Sequence, residues 1–379
     1  MDQHQGVIAV SSHAADPARA IAEIADAIAG AELAGGLLFC SHRFPRERLG
    51  TAIGERLGGL PLIGCTSAGE LTARGYDTDS VLFIGFPAEL FTMQVLHFTD
   101  LDGFDREDAR RQIRHLAANA RQESGHLGKE LNQVGLFLVD GLSHREEVLT
   151  MTAQDALGDI QLIGGSSGDG LLFRETGVLY DGGLHQDAAV IAILTSSRPL
   201  HAFCANHYRP GPAKMVVTEA NPESRVVYEI NAAPAAEEYR RLAGNPTSSL
   251  DVGFFAAHPP MVRTGGTYHV RSIQTANPDG SLTFYCAVDR GIVLTIGEPV
   301  DRVAQMRQMF ADIEQRIGEV DTIVGFDCVL NRIDAENRQL SGDVSRLYAD
   351  HRVFGFNTYG EQFLGAHVNQ TFSGLAIGR

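Results

Sequence analysis

The sequence predicts a mixed α/β fold, with mixed sheets built from duplicated strand–helix–strand–turn–strand units. Three observations predict it. Apolar runs of strand length alternate with amphipathic helical segments, the same order of elements occurs three times, and each time the second strand leads into a similar glycine-containing motif. With 379 residues the chain is long enough for two domains, and a core of that size needs no disulfide or metal.

The first copy of this unit is predicted to have strands at 35–41, 60–64 and 81–86, with a helix at 46–57. The second is predicted to have strands at 134–140, 160–164 and 188–194, with a helix at 144–157. A helical segment at 106–131 is expected to join these two copies. The third is predicted to have strands at 322–328, 353–356 and 374–378, with a helix at 334–348. A repeat this long indicates duplicated α/β units and not a solenoid.

A domain boundary is expected near 197–212, where proline and glycine interrupt the element pattern. A β-rich stretch follows it. Within this stretch, Pro278-Asp279-Gly280 stands between two alternating runs, which is typical of a hairpin turn.

Composition narrows the class of protein. The net charge of −16 disfavours both nucleic acid and anionic membranes as partners. Five scattered cysteines form no Cys-x-x-Cys pair, which fits a reducing compartment. No signal sequence and no apolar run near ~18 residues is present, so we expect a cytoplasmic protein without a membrane span.

The three glycine-containing motifs, called the repeat motifs below, cover 64–70, 164–169 and 355–361. Each supplies small residues, hydroxyl groups and a carboxylate, and its glycine is expected to take a left-handed conformation that turns backbone N–H groups toward a ligand. A tight structural corner is the alternative. The predicted ligand-binding residues are Gly64, Cys65, Thr66, Ser67, Gly164, Ser166, Ser167, Asn357, Thr358 and Glu361.

Known catalytic patterns are missing from these motifs. They match neither a Walker A loop, nor a dinucleotide fingerprint, nor a hydrolase elbow. A hydrolase or transferase that uses Cys65, Ser67 or Ser167 remains an alternative, but no local signature supports it, so we expect no enzyme activity.

Segments 61–71, 163–169 and 355–362 resemble the FIST family of sensory proteins. This resemblance covers nearly the whole chain and implies an N-terminal FIST domain at 6–205 and a C-terminal one at 206–379. It also implies a bacterial signalling protein that binds a small ligand and acts in trans on a histidine kinase or a cyclic-di-GMP enzyme. The oligomeric state is left open, a homo-oligomer included.

Segments 226–239, 268–273 and 367–372 are more narrowly similar to nitric-oxide-sensing FIST proteins, which bind haem. The resemblance implies a non-covalent haem b, because no Cys-x-x-Cys-His is present. Haem requires one proximal histidine and an apolar pocket. His185, in a loop before a buried strand, is the preferred iron ligand and His207 the second. For any one histidine, a hydrogen-bonded structural role is the alternative.

A haem-free sensor of a small polar ligand, such as an amino acid, is the competing hypothesis. The repeat motifs would supply N–H groups and hydroxyls, and Arg74, Arg271 or Arg290 would meet a carboxylate.

Overall fold

The computed structural model describes residues 6–244, 247, 249–264 and 266–379. Residues 1–5, part of the stretch in which we expect no targeting signal, lie outside them. Within the described residues the chain forms three six-stranded sheets and one eight-stranded sheet. The three smaller sheets correspond to the three copies of the repeat, and the larger one comes from a segment inserted at 208–299.

The first copy comprises β1 (Ile8–Ser12), α1 (Pro17–Ala27), β2 (Leu33–Ser41), α2 (Arg46–Leu57), β3 (Leu62–Ser67), β4 (Glu70–Thr72), β5 (Gly75–Asp77) and β6 (Val81–Pro87). The helix predicted at 46–57 is confirmed, and it buries Leu49, Ile53 and Leu57 at helical spacing. β3 continues to Ser67, beyond the predicted end, because it pairs in parallel with β2 as far as Ser41.

The second copy comprises β7 (Phe91–Thr99), α3 (Arg106–Glu123), β8 (Asn132–Val139), α4 (Glu146–Leu157), β9 (Gln161–Ser166), β10 (Val178–Tyr180), β11 (Gly183–His185) and β12 (Ala188–Ser196). Short 3₁₀ turns cover Leu101–Gly103 and Ser124–Leu127. The helix expected to reach residue 131 ends at Glu123, and Gly128 follows with φ of 121°, which does not continue a helix.

The third copy begins with β13 (Leu200–Asn206), after which the inserted segment interrupts it. The insertion comprises β14 (Tyr208–Asn221), β15 (Val226–Ile230), β16 (Ala233–Pro234), α5 (Ala235–Leu242), α6 (Val252–Ala257), β17 (Pro260–Thr264), β18 (Thr267–Val270), β19 (Ile273–Ala276), β20 (Leu282–Phe284) and β21 (Val293–Pro299). The predicted Pro278-Asp279-Gly280 turn joins β19 to β20 as a hairpin.

The third copy resumes with α7 (Arg302–Ile317), β22 (Val320–Cys328), α8 (Val329–Asn337), α9 (Ser341–Asp350), β23 (Val353–Thr358), β24 (Glu361–Phe363), β25 (Ala366–Val368) and β26 (Thr371–Gly378). The single helix predicted at 334–348 is wrong, since two helices cover this region. The break falls where Gln339 takes a φ of +58°, which ends α8.

The three copies exchange hairpins in a closed cycle. The strand orders are β1-β6-β2-β3-β10-β11, β7-β12-β8-β9-β24-β25 and β13-β26-β22-β23-β4-β5. The hairpin of the second copy therefore completes the first sheet, that of the third completes the second, and that of the first completes the third. This exchange joins residues 6–205 to residues 206–379 through shared sheets. The domain boundary predicted at residue 205 stays a prediction.

The apolar core lies where the three sheets face one another. It includes Phe39 and Ile63 from the first copy, Leu136 from the second, and Phe326 and Phe356 from the third, all 1% exposed or less. Pairs of helices cover the outer faces, as the buried side chains of α1 and α2 show for the first sheet. In the described residues, no helix is long and apolar enough to cross a membrane.

The inserted sheet is held to the core by a buried ion pair. Arg225 donates from Nη2 to Glu146 Oε2 and to Glu147 Oε2, each at 2.6 Å, and the Arg225 and Glu146 side chains are 5% and 3% exposed. On the third copy, Gln370 Nε2 donates to the Tyr208 hydroxyl at 3.0 Å. The insertion therefore rests on both the second and the third copy.

Candidate functional site

The three repeat motifs meet as a closed ring of backbone hydrogen bonds. The amide of Gly168 donates to the carbonyl of Thr66 at 3.0 Å, and the amide of Tyr359 donates to the carbonyl of Ser166 at 3.2 Å. The amide of Ala68 closes the ring by donating to the carbonyl of Asn357 at 3.0 Å. The structure thus brings together all three motifs, which are far apart in the sequence.

The first glycine of each motif has a different role from the expected one. Gly64, Gly164 and Gly355 do not have positive φ values, so the left-handed conformation is wrong for these three, whereas Gly69 in the first motif has a positive φ of 142°. A Cβ added at these positions would lie 1.8, 1.7 and 1.8 Å from a carbonyl oxygen of the neighbouring parallel strand. Glycine is therefore required by the close approach of two strands.

All ten predicted ligand-binding residues are buried in this ring. Their side chains bond within the protein: Thr66 accepts from the Gly177 amide, Ser166 from Gln362, and Ser167 from the Gly141 amide. Asn357 donates to the carbonyl of Asp327. Four cavities of about 380–650 Å³ are lined by other parts of the chain. The ring is a scaffold in this structure, and ligand binding by it stays a prediction.

Two carboxyl groups stand at equivalent places beside the ring, where the exchanged hairpins begin. Glu70 accepts hydrogen bonds from Ser67 and Ser80, and Glu361 accepts them from Thr358 and Thr371. Both are fully buried, and this burial raises the pKa of Glu70 to about 7 and that of Glu361 to about 8, against the opposing effect of the hydroxyl donors.

The second copy departs from this symmetry. Its hairpin begins with Val178, which pairs with Cys65 as Glu361 pairs with Gly165. Asp169, which the sequence suggested as the equivalent carboxylate, instead accepts from the amides of Phe173, Arg174 and Glu175 in the loop before this hairpin. Asp169 therefore orders a loop.

His185 lies at the end of β11, on the edge of the first sheet, so the loop position expected from the sequence is wrong. Its ring stacks on Tyr180 at 4.0 Å, and the other face of Tyr180 stacks on His97 at 4.2 Å. Its Nε2 atom is buried without a hydrogen-bond partner. A cavity of about 650 Å³ is lined by Asp181 and Gly182 at the tip of the same hairpin, but not by His185.

His207 lies directly after β13, where the chain leaves the core for the insertion. It is 3% exposed, and neither buried ring nitrogen forms a hydrogen bond of good geometry, although the side chain of Gln305 lies close enough to oppose the lowering of its pKa. It lines a cavity of about 500 Å³ between β13 and α7, called the β13–α7 groove below, within the ~300–1,000 Å³ typical of small-molecule sites. Burial, and secondarily the charge of Arg302, lower its pKa well below the usual range, so the imidazole is neutral.

The remaining lining of the groove combines apolar and polar side chains. Its apolar members include Phe203, Met309 and Ile313, and its polar members are His201, Asn206, Gln305, Gln308, Asp312 and Arg316. The residues contributed by α7 were missed in the sequence. α7 shows only an ordinary amphipathic pattern there, and the insertion separates it from β13.

The other sequence candidates lie elsewhere. Cys65 is fully buried, and burial raises the pKa of its thiol well above the usual range, which disfavours the nucleophilic thiolate. Arg271, which belongs to the insertion, donates to the carbonyl of His367 in the third copy at 3.1 Å. Arg74 and Arg290 are exposed at turns outside the ring. The described residues contain no group of three or more histidine, cysteine or acidic side chains arranged to hold a metal ion.

Comparison with known protein families assigns both halves of the chain. The FIST N domain model matches residues 34–233 and the FIST C domain model matches residues 235–364. A search of curated proteins finds no match. The first model alone spans more than half of the 379 residues, and the two follow each other almost without a gap. The chain belongs to the FIST family and is a ligand-sensing signalling protein.

Proposed function

We propose that the chain senses its ligand in the β13–α7 groove, that haem b held by His207 is the sensing group, and that nitric oxide is the signal. The observation that carries this is that the two buried ring nitrogens of His207 form no hydrogen bond of good geometry, although the side chain of Gln305 lies close to the ring. A buried polar group without a partner is costly, so such groups in native proteins call for a specific explanation. A bound ligand would supply the missing partner.

The residues of the groove fit haem in two respects. His207 is neutral, so one ring nitrogen offers a lone pair to iron. Phe203, Met309 and Ile313 supply apolar contacts beside it. Haem, when bound, would supply the iron to which nitric oxide binds. His185 remains the alternative ligand, since its Nε2 is also unpartnered, although it lies outside the cavities described.

The position of His207 supports coupling between this groove and the rest of the molecule. Its carbonyl oxygen accepts a hydrogen bond from the amide of Val300 at 3.1 Å, and the next residue, Tyr208, pairs with Pro299. The chain therefore both enters and leaves the insertion beside His207. We propose that ligand binding shifts the insertion and that a partner histidine kinase or cyclic-di-GMP enzyme in the cytoplasm reads this shift.

The test is the visible spectrum of the purified chain reconstituted with haem. We expect a Soret band that shifts when nitric oxide is added, and we expect His207→Ala to abolish haem binding. His185→Ala and, as a surface control, His126→Ala should bind haem normally. A missing Soret band would exclude haem, and loss of the band only in His185→Ala would transfer the ligand role to that residue.

A second candidate is favoured by the charges on α7. Asp312 and Arg316 are one helical turn apart and both line the groove, so they present opposite charges to one ligand. This arrangement suits the ammonium and carboxylate groups of an amino acid without haem. A thermal-shift screen of haem-free protein tests it: an amino acid at 100 times its Kd should stabilise the fold by about 2.7 kcal/mol. Arg316→Ala should remove that effect, and Arg19→Ala should not.

A further inference from the structure

The inserted sheet has two faces of different character. Along β14, Met215 and Val217 are buried, whereas Lys214 before them and Val216 between them are exposed. β21 begins with an exposed residue, Val293, which is 52% exposed, and the four residues after it are buried. Because Val216 and Val293 are cross-strand partners, two exposed valines lie side by side. An open apolar strip of this kind is typical of a surface that another molecule covers.

Two cations stand next to this strip. A cavity of about 490 Å³ opens there, lined among others by Lys214, Arg263, Tyr268 and Val293. Lys214 Nζ lies 5.9 Å from the centroid of the Tyr268 ring, and the Arg263 guanidinium lies 6.0 Å from it, so the aromatic ring helps to place both charges. In the part of the chain that the structure describes, neither cation forms an ion pair with a carboxylate.

We call Lys214, Val216, Arg263, Tyr268 and Val293 the outer face of the insertion. Its charge is opposite to that of the chain as a whole, whose net charge is −16. Two outer faces packed against each other would bring like cations together, which disfavours a symmetric dimer through this surface. An acidic occupant would instead pair with both cations while it covers the valines.

We propose that the outer face docks an acidic, amphipathic segment of the partner signalling protein. This inference rests on the proposed action in trans, but not on the identity of the ligand at His207. Apolar residues of the segment cover Val216 and Val293, and its carboxylates meet Lys214 and Arg263. The outer face belongs to the same insertion whose two connections pass His207, so a ligand in the β13–α7 groove and a partner on this face act on one element.

The experiment uses the full chain and a labelled helical peptide of about 15 residues, built from glutamate and leucine. A matched peptide with lysine in place of glutamate is the control. Fluorescence anisotropy should show binding of the acidic peptide only. The double variant K214E/R263E should weaken that binding about tenfold and should bind the lysine peptide instead. Val293→Thr, which keeps the branched shape, should also weaken it.

Arg19→Glu, a charge reversal on an exposed helix elsewhere, should leave peptide binding unchanged. Equal binding of both peptides would overturn the proposal. So would an affinity of K214E/R263E for the acidic peptide equal to that of the parent chain. The haem spectrum of K214E/R263E is measured alongside. Because these residues lie outside the groove, an unchanged spectrum separates a failure at the outer face from a failure of the proposed haem site.

Discussion

The amide of Ala68 donates a 3.0 Å hydrogen bond to the carbonyl oxygen of Asn357 and so joins the first repeat motif to the third. The equivalent bonds from Gly168 and Tyr359 complete the ring. Each sheet also contains the hairpin of another copy. Because these contacts are cyclic, a defect in any one motif is expected to weaken the whole core of the molecule.

Gly355→Ala should therefore destabilise the chain strongly. The added Cβ would lie 1.8 Å from the carbonyl oxygen of Gly325, and neither strand backbone can move without disturbing the ring. We expect a loss of more than about 3 kcal/mol in the free energy of unfolding, measured with urea. Gly54→Ala is the matched control. It lies inside α2 with open space around its Cβ, so it should stabilise by about 0.5–1 kcal/mol. Similar effects of the two substitutions would contradict this account of the motif glycines.

The stability of the chain should fall as pH rises from about 4.5 toward 8. The pKa of Glu361 is about 8 in the folded state, above its ordinary value of 4.5, so the folded protein holds a proton that the unfolded chain releases in this interval. Its contribution is fully present below pH 4.5 and is lost as pH rises through about 8. Glu361→Gln cannot ionise, so its free energy of unfolding should depend less on pH across this window. The same dependence in parent and variant would refute the assignment.

Arg225→Met should loosen the insertion. The substitution replaces the aliphatic stem of the arginine but removes its guanidinium, which leaves Glu146 as a buried charge without its partner and typically costs about 3–5 kcal/mol. Amide hydrogen exchange should increase first in 208–299, because the pair attaches this segment to α4. Arg19→Met removes an exposed ion pair and should cost less than about 1 kcal/mol. Unchanged exchange in the insertion would show that other contacts hold it.

Cys65 should be unreactive in the folded protein. It is fully buried, and its thiol has a pKa well above the usual range, so little thiolate is present at neutral pH. Iodoacetamide followed by peptide mass spectrometry should label Cys65 only after the chain is unfolded in urea. Rapid labelling in the native state would revive the hypothesis of a cysteine nucleophile.

The regular elements next to the repeat motifs were predictable because they leave local signals. α2 shows its buried face at helical spacing, and the apolar run that follows it leads into Gly64 within β3. The three copies of this order predicted duplicated α/β units. The sequence showed that glycine recurs in the motifs, but it did not show why glycine is required there. A close approach between two strands leaves no trace in the local pattern of residues.

What the sequence determined by itself is thus the family, the fold class and the position of the central strands in the three repeated units. Only the tertiary structure decided which sheet each exchanged hairpin joins. Each of its two strands has three residues, and the sequence of so short a strand does not specify which strand it pairs with. It also decided that His207 faces Gln305 and Arg316 of α7 across a groove. The insertion separates these residues in the chain, and local periodicity reports which face of an element is buried but not what covers it.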